Sequence, residues 1–240
     1  MGFDVVRYPL GSWHALLAQA RELEEAGAGS LWLADHPERT GVLEPWTALA
    51  ALAGSTDRIR LGTAATNASQ RNPVVLAAQV AAVNEISGGR VQLAIGAGDG
   101  GKVEAIERAL DAIEGVPVYV AANARRGLEL AAARGVGSLT QGDERGLEGV
   151  RERNAYLDEL GASGERLYFV GWSDEHPFVS EEALVDFVGR YREVGVTRFL
   201  FAYAAMAKQG RFLTREALDI FGPLLAHLAS NDDEEEVRDT

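Results

Sequence analysis

Asp35 and His36 stand side by side directly after the apolar run Leu31-Trp32-Leu33-Ala34. An imidazole in that place can carry a proton near neutral pH. The adjacent carboxylate could hold or tune it, although neighbouring residues on a strand point apart. The plainer alternative is a loop-capping Asp beside a surface His. The other histidines suggest less. His14 and His227 fall in helical patterns and His176 precedes Pro177. No pair of histidines has metal-ligand spacing, so no metal is expected.

Two further segments could do chemistry. Gly96-Ala97-Gly98-Asp99-Gly100-Gly101 fits G-x-G-x-x-G between a strand pattern and a helix pattern. A dinucleotide site needs an acid about 20 residues further on, at the end of the next strand. That place holds Ala121, Ala122 and Asn123, which argues against a nicotinamide cofactor. The glycines can still let backbone approach a flat ligand, or simply make a tight turn. Ala121-Ala122-Asn123-Ala124-Arg125-Arg126 then crosses from a strand into a helix. Free N–H groups at a helix start can bind an anion, with Arg125 or Arg126 adding charge, though most helix starts bind nothing. No GxSxG elbow occurs and there is no cysteine, so nucleophilic catalysis is poorly served.

These segments share a position: each follows a short apolar run. Eight such runs, at 3–8, 30–34, 59–65, 91–96, 116–121, 136–140, 167–171 and 198–203, start about every 28 residues, the spacing of a βα unit. Stretches of helical period lie between them. Trp13, Leu16, Leu17, Ala20, Leu23 and Ala26 form one stripe, with Ser12 as N-cap and Gly27 as stop. Leu184, Phe187, Val188, Tyr191 and Val194 form another before Gly195, and Pro73 opens a third helix. The helix near 147–160 is the weakest, because its polar content is high. Near-continuous apolar runs such as VQLAI and FLFAY suit a parallel sheet covered on both faces. The fold expected is a minimal (β/α)8 TIM barrel in one domain over 1–230, with an open doubly wound sheet as the alternative. In a barrel, function gathers at the C-terminal strand ends. Those ends hold Tyr8-Pro9, Asp35-His36, Thr66-Asn67, Gly98-Asp99, Asn123-Arg125, Thr140-Gln141, Trp172-Ser173 and Tyr203.

Composition narrows the partners. The chain has 240 residues, 47% hydrophobic and 25% charged, with a net charge of -13. An acidic balance argues against nucleic acid. No apolar run is long enough for a membrane span and no signal segment opens the chain, so a cytoplasmic protein is expected. The run DDEEE and its neighbours at 231–240 carry -5 of the charge and can bury nothing, which predicts a disordered acidic tail.

The segment from Glu44 to Gly98 resembles the luciferase-like flavin and deazaflavin oxidoreductases. It carries Trp-Thr-x-Leu, Arg-Ile-Arg-Leu-Gly-Thr, Arg-x-Pro, Ser-Gly-Gly-Arg and Gly-x-Gly in order. VPVYVAA and FVGRYREVGVTRFLFAY are similar to later parts of the family. The resemblance implies FMN or the deazaflavin coenzyme F-420 in the barrel mouth, and hydride transfer or monooxygenation on a small organic substrate. By position, His36 matches an active-site His and Asp99 is a second proton-transfer candidate. Ala64 and Ala65 match a non-proline cis peptide behind the ring, Asn67 falls beside the ring edge, and Gly98 belongs to the strand-end turn. Asn123 and Ala124 match backbone that holds the phosphate, with Thr140 near it. Arg39, Arg71 and Arg125 could meet an anionic polyglutamate tail. A homodimer is implied by the same resemblance. The chain departs from the family in joining its fourth strand to the next helix without the usual long insertion. Its length is also similar to that of the small non-catalytic flavoprotein of luminous bacteria, so a flavin-binding barrel, or a subunit of a heteromeric enzyme, is the alternative.

Overall fold

The computed structural model describes residues 3–36, 38–170, 177–203 and 213–230. Among these residues eight strands alternate with eight α-helices. The strands are β1 (Asp4–Arg7), β2 (Ser30–Leu33), β3 (Arg60–Asn67), β4 (Val91–Gly96), β5 (Val118–Ala121), β6 (Gly137–Gln141), β7 (Arg166–Val170) and β8 (Arg198–Ala202). The helices are α1 (Trp13–Glu25), α2 (Pro45–Ala53), α3 (Pro73–Ser87), α4 (Val103–Leu110), α5 (Arg125–Arg134), α6 (Gly146–Glu159), α7 (Glu181–Glu193) and α8 (Arg215–Ser230). All strand pairs are parallel and run in chain order, and β8 returns to β1 with Asp4 opposite Leu200. The barrel is closed, as the alternation predicts, and the open doubly wound sheet does not form.

The local reasons follow the sequence closely. Ser12 caps α1 by accepting from the Ala15 N–H at 3.3 Å, and Gly27 takes φ +82 just past its end. Asn72 caps α3 ahead of Pro73. The Ser-Gly-Gly-Arg turn has a structural purpose: Arg90 donates to the carbonyls of Ala53, Thr56, Ile59 and Ser87, locking the ends of α2 and α3 to the start of β3. The sixth helix is regular despite its polar content. Its buried polar residues are bonded, with Asn154 donating to the Val194 carbonyl at 2.7 Å and Arg153 to Asp143 at 2.7 Å. β5 starts two residues later than its apolar run, after Pro117, which has no N–H to give.

Two apolar layers result. An outer one fills the space between strands and helices, with Trp46, Leu49, Leu52, Phe187 and Tyr168 almost fully buried. An inner one fills the barrel with Val6, Trp32, Ala94, Tyr119, Leu139, Leu167 and Leu200. Gly62 makes room for Trp32 and Gln92, because a Cβ there would collide with both. The base of the barrel is polar. Arg198 donates to Asp4 at 2.7 and 3.0 Å and to the Tyr119 hydroxyl at 2.9 Å, and Ser30 donates to Asp4. Burial pushes the Asp4 carboxyl up, against the opposing pull of Arg198 and Ser30. Among the described residues no helix is long and apolar enough to cross a membrane. The expected acidic tail at 231–240, the strand end at Gly171-Trp172-Ser173, and His176 lie outside the described residues.

Candidate active site

The C-terminal mouth has a floor of small residues. Ala64 and Ala65 of β3 and Ala121 of β5 are half-buried and, beside the larger Phe169 of β7, cover the inner apolar layer. Gly96 of β4 completes the floor. A Cβ at Gly96 would stand 3.3 Å from the Ala121 carbonyl oxygen, 3.6 Å from the Ala121 Cβ and 3.7 Å from the Ala65 Cβ. Two methyl groups and a bare backbone therefore meet at one place, which suits the face of a flat ring.

The peptide bond between Ala64 and Ala65 is cis, at the position the family resemblance implies. The register of β3 against β4 shifts between Thr63 and Thr66. Buried polar groups hold this irregular turn from behind. The Trp46 indole donates to the Thr66 hydroxyl at 3.2 Å, and the Thr63 and Thr66 hydroxyls are 2.6 Å apart. Glu44 caps α2, accepting from the Thr47 N–H at 2.7 Å, and so places Trp46.

Asp35 and His36 separate on leaving β2. Asp35 is buried, takes two bonds from Arg71 at 2.6 and 2.7 Å, and accepts from the Asn67 N–H at 3.0 Å. Arg71 also reaches Glu44 at 2.7 Å. Burial works against the charge on Arg71, but Asp35 and Glu44 outweigh it and hold the guanidinium above its ordinary value. Burial likewise opposes the charge on Glu44, yet Thr47 and Arg71 hold its carboxyl below the usual range. Arg71 is thus spent inside the protein and is not available to an anionic tail.

His36 keeps the outer position. Its carboxylate partner is Glu38, not Asp35: His36 Nδ1 lies 2.9 Å from Glu38 Oε1. Its ring stacks on Tyr8 from the end of β1, with centroids 5.4 Å apart and planes at 21°. The Arg39 guanidinium lies over the same tyrosine at 5.2 Å. About a third of the His36 side chain is exposed. The result is a stacked, carboxylate-paired imidazole between the first two strand ends.

The glycine-rich turn after β4 is explained by its neighbours. Gly98 has φ +78, and a side chain there would strike Asn67. The Asn67 Oδ1 accepts from the Ser69 N–H at 3.2 Å, while the Ser69 hydroxyl donates to the Ala97 carbonyl at 2.5 Å. Asn67 and Gly98 therefore lie together, with Asn67 largely buried. Asp99 is exposed on the turn beyond them. Only residues 97–102 join β4 to α4.

On the other side of the mouth, α5 begins at Arg125 with Ala124 as N-cap and no side-chain cap. The Asn123 side chain is turned to its neighbour strand. It donates to the Gln141 carbonyl at 2.9 Å and accepts from the Gln141 N–H at 3.0 Å. Gln141 is held in turn by the buried Arg153 of α6, at 3.4 Å from the same carbonyl. Arg125 stacks on Tyr156 at 4.5 Å, and Arg126 pairs with Glu104 at 2.9 Å. Both guanidiniums stay exposed beside the helix start. Thr140 is buried on the face of β6 opposite Leu139, which joins the barrel interior, so its side chain does not join the floor.

The structure therefore gathers Ala64, Ala65, Asn67 and Gly98 on one side, His36 on the rim, and Asn123 and Ala124 opposite. It leaves Asp99 on the outer turn and Thr140 behind its strand. Residues missed from the sequence are Glu38 and Arg153, and the stacking of Tyr8 on His36 was not foreseen. Tyr8 was legible as a strand-end residue. Glu38 and Arg153 carry no spacing signal, since one lies in an irregular loop and the other reads as a surface arginine.

Comparison with known proteins bears on the family and the fold. Residues 4–112 match the family model described as luciferase-like monooxygenase. The 5,10-methylenetetrahydromethanopterin reductase of Methanolobus tindarius is 38% identical over 80 residues, which is 33% of this chain and 24% of that protein. The aligned stretch thus spans about a quarter of that curated relative. Among solved structures, the coenzyme F-420-dependent tetrahydromethanopterin reductase from Methanopyrus kandleri superposes with a TM-score of 0.72 at 15% identity, covering 92% of this chain and 97% of that one. The oxygenating constituent of 3,6-diketocamphane monooxygenase from Pseudomonas putida, in complex with FMN, gives 0.58 at 14% identity over 70% of this chain and 67% of that one.

Proposed function

We propose, from the match of residues 4–112 to the luciferase-like monooxygenase family model, that this protein is an oxidoreductase using coenzyme F-420 or FMN on a small organic substrate. The observation that carries the reading is the floor of Ala64, Ala65, Gly96 and Ala121, with a paired imidazole on one rim and an uncapped helix start on the other. The residues present fit a flat ring: methyl groups meet its face, and a larger side chain at Gly96 would fill the slot. F-420 is the first candidate because a solved neighbour covering nearly the whole chain uses it, and FMN is the second.

When bound, the cofactor supplies hydride chemistry that no side chain has. The chain supplies position and a proton. The main-chain N–H groups at Ala124 and Arg125, at the start of α5, would hold the cofactor's phosphate, with the exposed Arg125 adding charge. Asn67, whose Oδ1 is fixed by Ser69, would stand beside the ring. His36 holds or accepts the proton that accompanies hydride transfer, and Asp99 is the second group able to do so from the turn after β4. Thr140, behind β6, would act only through the strand that carries it.

The same reading includes a homodimer through α3. Val74, Val75, Ala78, Ala81, Ala82 and Ile86 are all exposed on that helix, with Val74 at 73%. An exposed apolar face of this extent favours association.

One observation favours a second reading. The six residues joining β4 to α4 give little chain to cover the floor, which suits a barrel that holds a flavin without turning it over. Purified protein is titrated with F-420 and with FMN, and the loaded protein is then tested for cofactor reduction and reoxidation. Saturable binding with redox turnover supports the oxidoreductase, and binding without turnover favours the second reading. Absence of binding to either cofactor overturns both.

A further inference from the structure

His36 has two ring nitrogens, and the reaction proposed above uses only one of them. Its Nδ1 lies 2.9 Å from Glu38 Oε1. An ionised carboxylate only accepts hydrogen bonds. The Glu38 carboxyl is held below the usual carboxylate range by its own backbone N–H and by His36, so it is ionised near neutral pH. The hydrogen in this contact therefore belongs to Nδ1. A neutral His36 must then have an unprotonated Nε2, the reverse of the tautomer that a free histidine side chain favours in water. The stacked Tyr8 ring limits rotation of the imidazole out of this arrangement.

We infer that Glu38 is a positioning residue for His36: it takes the Nδ1 hydrogen, fixes the tautomer, and leaves Nε2 as the atom that exchanges a proton. The inference rests on the reading of His36 as the proton carrier. Its logic is that of a carboxylate which orients an imidazole without itself being protonated. Here the carboxylate sits two residues along the same loop, and the adjacent Asp35 is excluded because Arg71 and Asn67 occupy its oxygens. On this arrangement the proton moves between Nε2 and the bound reactant while the Nδ1 hydrogen stays on Glu38's side. When His36 gives up the Nε2 proton the His36–Glu38 pair passes from neutral to a net charge of -1, and it returns to neutral when the proton is regained.

The test reads the tautomer directly. Nitrogen-15 spectra of the histidine rings are recorded on the full chain without cofactor, above the pH at which His36 loses its charge. His36→Ala assigns its signals among the four histidines. The wild type is expected to hold the neutral ring mainly as the Nδ1–H form. Glu38→Ala is expected to convert it to mainly Nε2–H, and Glu38→Gln, which keeps a carbonyl acceptor, to retain the wild-type form. A wild-type ring that is mainly Nε2–H overturns the inference, as does a tautomer unchanged in Glu38→Ala. Thermal melting of each variant serves as the control and is expected to stay at the wild-type value, because Glu38 is exposed. The tautomer is read without F-420 or FMN. Failure to bind either one therefore counts against the proposed function alone.

Discussion

Arg71 grips Asp35 with two nitrogens, at 2.6 and 2.7 Å, and the same Asp35 carboxylate accepts the Asn67 N–H at 3.0 Å. One buried ion pair therefore ties the end of β2 to the end of β3. It sets the path of the chain on both sides of the floor, His36 from one strand and Asn67 from the other.

Removing Arg71 leaves Asp35 buried and unpaired, so Arg71→Met is expected to destabilise the fold by about 3–5 kcal/mol. Urea melts check the figure. The double variant Asp35→Asn with Arg71→Met is expected to recover part of the loss, because the uncompensated charge is gone.

Acid stability is expected to depend on Glu24. Burial opposes its charge, but it accepts from the backbone N–H groups of Asp57, Arg58 and Ile59 at 3.1, 2.6 and 2.8 Å, and its carboxyl is held below the usual range. A depressed folded-state value means that the stabilisation is present above the unfolded value and is lost as pH falls through the folded one. Glu24→Gln is therefore expected to be less stable than wild type at neutral pH, with the difference shrinking below about pH 4. Denaturant midpoints measured across that range check it.

His36→Ala separates chemistry from binding. If His36 carries the proton, turnover of the loaded enzyme is expected to fall by about 10²–10⁴ while cofactor affinity stays near the wild-type value. Rapid kinetics beside a binding titration gives both numbers. Unchanged turnover would remove His36 from the reaction.

The outer face of α3 predicts its own outcome. Val75→Arg with Ile86→Arg places two charges where two exposed apolar side chains stand. Sedimentation is expected to show a dimer for wild type and a monomer for the variant, with the fold intact by circular dichroism. A wild-type monomer would contradict the proposed interface.

The barrel was legible because its signal is repeated eight times. Most of the apolar runs are followed by a helix whose start or stop residue has a physical reason, as with Ser12, Pro73 and Gly195. The cis peptide at Ala64-Ala65 was placed by resemblance, and no propensity points to it. Side-chain destinations were harder to read. Asp35 next to His36 suggested a pair, but their directions differ by one step along the chain, and Arg71 lies 36 residues away from Asp35. Thr140 lies on the face of β6 away from the barrel interior by parity, since alternate residues of a strand face opposite ways. Arg153 disguised α6, because a buried arginine with good partners looks in the sequence like a break in the apolar stripe.

The central claim is that the cofactor lies on the floor of small residues. Ala121→Leu adds bulk at that floor, where Ala121 meets Gly96 and Ala65, without entering the buried interior. The most direct measurement is a fluorescence titration with F-420, and in parallel with FMN, on wild type and Ala121→Leu. The account predicts saturable binding of one cofactor by wild type, at least tenfold weaker in the variant, with unchanged thermal melting. Equal affinity in both proteins would contradict it.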